Sequence, residues 1–86
     1  MVRILISRST ERELARLPRE VQIRFAAAID ELAKDPRPRA SLDLKPLRGI
    51  KGAWRLRVGS YRGVFEMGED EVRFTRFGHR KDIYRF

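Results

Sequence analysis

An α+β fold is predicted for this chain: an N-terminal strand, a two-helix hairpin, then a three-stranded antiparallel meander, with the helices on one face of the sheet. Three observations lead there. Val21, Phe25, Ala28, Ile29 and Leu32 recur at helical spacing and make one apolar stripe. Trp54-Arg55-Leu56-Arg57-Val58 alternates apolar and basic residues, the period of a strand buried on one face. Gly59-Ser60 then separates that run from Tyr61–Met67, the pattern of a hairpin.

Taken in order, Val2 to Ile6 is β-branched enough for a short strand. Ser7 to Glu13 offers several N-caps, with Thr10 and Glu13 fitting a capping box, and Leu14 and Leu17 continue a first short helix. Pro18 suits the first turn of a second helix, with Glu20 near its positive end. Asp35-Pro36-Arg37-Pro38 stops that helix, because a residue before proline is driven out of the helical region. Arg39 to Gly52 reads as a basic connector anchored by Leu42, Leu44, Leu47 and Ile50. Strands are expected at Ala53–Val58, Tyr61–Met67 and Val72–Phe77, the last two joined through Gly68-Glu69-Asp70-Glu71. The helices supply the crossover that brings the first strand to this meander. With them on the Trp54, Leu56, Tyr61 and Phe65 side, the other face carries Arg55, Arg57, Arg62 and Glu66. An antiparallel sheet can leave that face to water.

At 86 residues the chain has room for one core, a single domain over 1–86. A body this small buries only about 60–65% of its unfolded surface, so a partner covering exposed apolar surface would add to its stability. Lys and Arg number 20 against 12 Asp and Glu, a formal net charge of +8. That field favours polyanions, nucleic acid above all, or an acidic protein. A membrane surface has no lipidation motif or strongly basic amphipathic helix to support it. The apolar run from Met1 to Ser7 is too short for a signal peptide and nothing approaches membrane-spanning length, so a cytoplasmic protein is expected.

One histidine and no cysteine argue against a metal site, and Gly49 and Gly52 lack the context of a phosphate loop. Ser60 sits at a turn with no evident base. RNA cleavage requires none of these, because the substrate's 2′-hydroxyl is its own nucleophile beside the scissile phosphate. The protein has to align that oxygen, stabilise charge on the phosphorane and manage two proton transfers. Arginine suits the first two tasks, since its planar fork binds phosphate oxygens bidentately and stays charged. Arg55, Arg57, Arg62 and Arg80 are the candidate clamp, and Tyr84 can stack on a base or exchange a proton. Lys45, Arg48 and Lys51 form a candidate rim for RNA backbone. Beside these stand plainer readings: strand arginines facing solvent, a surface His79, and a Tyr84 that packs the terminus down.

The run Leu47-Arg48-Gly49-Ile50-Lys51-Gly52-Ala53-Trp54-Arg55-Leu56-Arg57-Val58-Gly59-Ser60-Tyr61-Arg62, followed by Gly78-His79-Arg80 and Ile83-Tyr84, resembles the RelE-type toxins of bacterial and archaeal toxin–antitoxin pairs. The resemblance covers nearly the whole chain. It implies a metal-independent endoribonuclease that cuts mRNA on the ribosome, with no small-molecule cofactor, and a cognate antitoxin, expected to be acidic, that masks the arginine face. It also implies that Arg62 holds the phosphate, Arg80 assists the leaving 5′-oxygen and Tyr84 lies near the target nucleotide. In RelE-like enzymes the two alternating basic residues are often lysines, one of them implicated in general-base or charge-stabilising work. Here they are Arg55 and Arg57, which do not readily give up a proton. Either Arg57 acts electrostatically or the base lies elsewhere, with His79 as the substitute. Two other functions fit parts of the pattern: a ParE-like toxin that poisons DNA gyrase on the same architecture, and a non-catalytic basic RNA-binding module.

Overall fold

The computed structural model describes residues 1–38 and 40–83. Its elements run β1 (Arg3–Ile6), α1 (Arg8–Ala15), α2 (Arg19–Lys34), β2 (Leu44–Pro46), β3 (Ala53–Val58), β4 (Tyr61–Met67) and β5 (Glu71–His79). The strands form one sheet in the order β1-β5-β4-β3-β2. β1 lies parallel to β5 and the remaining neighbours are antiparallel. The helical pair thus leaves one edge of the sheet and returns at the other. This is the predicted α+β class, with one strand more than the sequence suggested.

The extra strand is β2, inside the stretch read as a connector. It is only three residues long and ends in Pro46, which lacks an N–H and is tolerated at a sheet edge. β5 also runs two residues further than expected, to His79. Between Val64 and Phe65 the β4–β5 register slips: Val64 faces Arg76, while Phe65 faces Phe74. Thr75 is therefore the extra residue of a β-bulge. The bulge changes parity, so that Phe74 and Phe77 both enter the core although three positions apart, and Arg76 goes to the opposite face.

Helix α1 starts one turn earlier than the capping-box pattern indicates. Ser7 is the N-cap, its hydroxyl accepting from the Thr10 N–H at 3.3 Å. Thr10 and Glu13 serve the sheet instead. β1 pairs with β5 only from Glu71 to Phe74, so the next residues of β5 have no strand on that side. There the Thr10 hydroxyl donates to the Thr75 carbonyl at 3.2 Å, and the Phe77 N–H donates to Glu13 Oε1 at 3.0 Å. Two backbone groups that would otherwise be orphaned are satisfied by a helix. At the other end of α1, Gln22 Nε2 donates to the Leu17 carbonyl at 2.8 Å and the Ala15 carbonyl at 3.1 Å, serving the last turn.

The core lies between the helices and the sheet, where Phe25 and Leu32 of α2 meet Leu56, Val58, Phe65, Val72, Phe74 and Phe77. Phe25 stands edge-on to Phe77 at 5.2 Å between centroids, and Phe77 stacks on Phe74 at 5.1 Å. Such pairs add about 0.5–1.5 kcal/mol beyond the area they bury. Gly63 makes this packing possible, because a Cβ there would sit 2.8 Å from Phe77 Cε1 and 3.3 Å from Phe74 Cε1. The β3–β4 turn is two residues long, Gly59 at φ +59° followed by Ser60, the φ pattern of a type II′ hairpin. Among the described residues, no helix is long and apolar enough to cross a membrane.

Candidate functional site

Strand pairing fixes which basic side chains share the open face. Arg57 is opposite Arg62 and Arg55 opposite Val64, while Lys45 of β2 is opposite Arg55. Directly opposed residues stand about 5 Å apart on the same side, so Arg57 and Arg62 are like charges held side by side, an arrangement that needs a countercharge. Asp43, immediately before β2, provides it. Its Oδ2 contacts Arg57 Nε, and its Oδ1 lies 3.6 Å from Arg55 Nη2. The two arginines differ sharply in access: the Arg57 side chain is 51% exposed and that of Arg55 only 14%. Arg55 Nη1 is sealed from solvent without a hydrogen-bond partner.

The hairpin tip gathers the next two arginines. Arg62 Nη1 donates to the Gly59 carbonyl at 2.9 Å and the Tyr61 carbonyl at 3.1 Å. Past β5 the chain turns over this tip, and the Arg80 N–H donates to the Ser60 carbonyl at 2.8 Å. Arg57, Arg62 and the backbone of Arg80 therefore lie at one end of the sheet. His79, opposite Tyr61, belongs to the same end but by alternation to the helix-side face. Its ring stands edge-on to Tyr61 at 5.4 Å, and its Nδ1 accepts the Lys81 N–H at 3.1 Å. In neutral imidazole that puts the proton on Nε2, so in this pose the ring is a donor.

Arg48 and Lys51 sit in the loop before β3, at the far end of that strand, on the order of 17 Å from the tip at about 3.3 Å per residue. Lys45 lies between the two groups. Tyr84 falls outside the described residues. Near the far end, Leu47, Ile50, Ala53, Val64 and Ile83 line an apolar groove of 230 Å³ with Thr75 and Arg76 beside it. Ile83 is buried, which carries the chain after His79 back onto the open face.

Sequence reasoning missed two charged residues of this face. Arg76 was hidden by the bulge, which no local pattern announces. Asp43 was hidden inside the supposed connector, where only recognition of β2 would have put it beside Arg55 and Arg57. Chemically, opposed guanidiniums such as those of Arg57 and Arg62 can receive a tetrahedral oxyanion. Charge-assisted donors of this kind strengthen as the anion's charge grows.

A small helical hairpin on a twisted sheet whose open face is armed with arginines defines a class of small basic toxins. Residues 4–84 match the family described as the ParE toxin of the type II toxin–antitoxin system, parDE, and the chain belongs to it as a RelE-type toxin. It is 29% identical over 86 residues to Toxin RelE3 of Methanocaldococcus jannaschii, covering 99% of this chain and 98% of that protein. The RelB–RelE antitoxin–toxin complex of Methanococcus jannaschii contains a chain matching this one with a TM-score of 0.81 at 30% identity, over 93% of this chain and 94% of that one. The archaeal RelE–RelB complex of Pyrococcus horikoshii OT3 gives 0.79 at 25% identity, over 94% and 97%. The isolated E. coli RelE toxin, at 18% identity and a TM-score of 0.77 over 92% and 84%, shares the fold.

Proposed function

We propose that this toxin is a metal-independent endoribonuclease that cuts mRNA in the decoding site of the ribosome. The observation that carries the reading is the placement of Arg57, Arg62 and the Arg80 backbone at the hairpin-tip end of the sheet, on a body of net charge +8. In the reaction, the ribose 2′-oxygen attacks the adjacent phosphorus, forming the P–O2′ bond and breaking the P–O5′ bond. The products are a 2′,3′-cyclic phosphate and a 5′-hydroxyl, with one proton leaving the 2′-oxygen and one reaching the 5′-oxygen. Arg62 holds the phosphate, Arg57 stabilises the phosphorane charge and Arg80 assists the departing 5′-oxygen. His79 is the proton-transfer group, the substitute base that takes the 2′-oxygen proton at Nδ1 once that atom is released from the Lys81 N–H. Tyr84 accompanies the target nucleotide, and Lys45, Arg48 and Lys51 follow the RNA backbone. With so few proton-transfer groups, the ribosome supplies much of the substrate alignment.

The partner that restrains the toxin is an antitoxin, a reading supported by the antitoxin complexes in which its relatives occur, and the net charge of +8 favours an acidic one covering the arginine face. Purified protein is to be incubated with a defined mRNA, with and without programmed ribosomes, and the product ends mapped. Cuts only with ribosomes, leaving the ends named above, are expected. Arg62→Ala and Arg80→Ala are expected to lower cleavage more than ribosome binding; equal losses count against catalytic roles. Gyrase poisoning is the second reading, favoured by the parDE description of the family. Gyrase-dependent DNA breaks with mRNA left intact would establish it in place of the first.

A further inference from the structure

Arg55 and Arg57 leave β3 on the same face two residues apart, yet their surroundings divide them. Both turn to one carboxylate. Asp43 is fixed in place by its own backbone, since its carbonyl accepts the Arg57 N–H at 3.0 Å, and by Leu42 before it, which is buried in the core. Its carboxylate takes Arg57 at Nε, which leaves the two Nη groups at the end of that guanidinium for another anion. On the other side stands Arg55, almost enclosed and with one Nη already lacking a partner. A guanidinium in that state depends heavily on the anion it has, because burying an unpaired charge is costly. Its Nη1 is also closed to solvent, so RNA has no direct way to it.

We infer that Asp43 is a positioning residue, braced from behind by Arg55, that holds the Arg57 guanidinium beside Arg62 for the RNA phosphate. Of the two alternating arginines, only Arg57 meets the RNA, and Arg55 acts through Asp43. The physical need is plain in the register: Arg57 and Arg62 are directly opposed, and without an anion at Nε their repulsion turns Arg57 away from the shared site. The inference rests on the ribonuclease reading for its consequence in cleavage, and its test separates the two.

Two measurements are needed. In the first, a short single-stranded RNA is titrated into the ¹⁵N-labelled wild-type protein while the arginine Nε–Hε resonances are followed. Arg57 is expected to shift and Arg55 to stay; equal movement of both overturns the inference. In the second, cleavage on programmed ribosomes is compared for wild type, Asp43→Asn, Arg57→Ala and the double variant. Asp43→Asn is expected to lower kcat by about tenfold to a hundredfold, the cost of a misplaced group, with KM for ribosomes little changed. The double variant is expected to be no slower than Arg57→Ala, because both changes act through one side chain. An Asp43→Asn protein as fast as wild type or faster, or multiplicative losses in the double variant, overturns the inference while the ribonuclease reading stands. A wild type that cuts nothing, yet whose Arg57 alone answers to RNA, sinks the ribonuclease reading and supports the assignment of the pair.

Discussion

At the scale of single residues, this fold depends on how four phenylalanines pack together, two of them over one glycine. Phe25, Phe65 and Phe74 are fully buried and Phe77 nearly so, and Gly63 lies beneath the last two. Gly63→Ala puts a methyl carbon 2.8 Å from one ring and 3.3 Å from another, distances at which the rings have to move. Both rings are packed on other rings, so the expected loss is about 1–3 kcal/mol, that of an overpacked core. An unchanged denaturation midpoint would show that the stack yields freely. Phe25→Ala tests the same cluster by removal and is expected to cost about 3–5 kcal/mol, read from urea unfolding. A loss near 1 kcal/mol would mean that α2 settles into the gap.

At the scale of elements, the informative contact is the one between α1 and the bare edge of β5. Glu13 accepts the Phe77 N–H, and Phe77 is buried, so removing the acceptor leaves an amide with nowhere to turn. Glu13→Ala is expected to cost about 1–3 kcal/mol and to speed hydrogen exchange at the Phe77 amide. Glu13→Gln keeps a side-chain oxygen and is expected to stay close to wild type. The ion pair of Glu13 with Arg76, at 3.9 Å and partly exposed, contributes little, so equal damage by both variants would assign the effect to charge instead. None of this was legible in the sequence, where Thr10 and Glu13 have the spacing of a capping box. Local spacing reports what a residue can do for its own helix and is silent about a strand 64 positions away. The strands Ala53–Val58 and Tyr61–Met67 were legible to the residue because alternation and a Gly-Ser turn are local signals. β2 and the Thr75 bulge were not, since a three-residue strand is held by its neighbour and a bulge by its register. The candidate site divides the same way. Arg55, Arg57 and Arg62 follow from alternation, whereas Asp43 and Arg76 reach that face only through pairings distant in sequence.

At the scale of the whole molecule, two separated groups among the 20 Lys and Arg are expected to do different work. Arg48 and Lys51 are exposed at the far end of the sheet and suit long-range attraction to RNA backbone. Arg62 and Arg80 are tied to the hairpin tip through backbone contacts, Arg62 by its side chain and Arg80 by its N–H, and suit one defined phosphate. Each phosphate contact contributes about 0.7–0.9 to the slope of log affinity against log salt. The Arg48→Gln, Lys51→Gln protein is therefore expected to bind programmed ribosomes more weakly, with a slope reduced by about one to two and kcat retained. The Arg62→Gln, Arg80→Gln protein removes the same formal charge and is expected to lose kcat while keeping most of its affinity. Binding across a salt series, paired with single-turnover cleavage on the same ribosomes, resolves the two behaviours. If both pairs shift affinity and rate alike, net charge alone draws this protein to RNA, and the hairpin tip is no more a site than any other part of a basic surface.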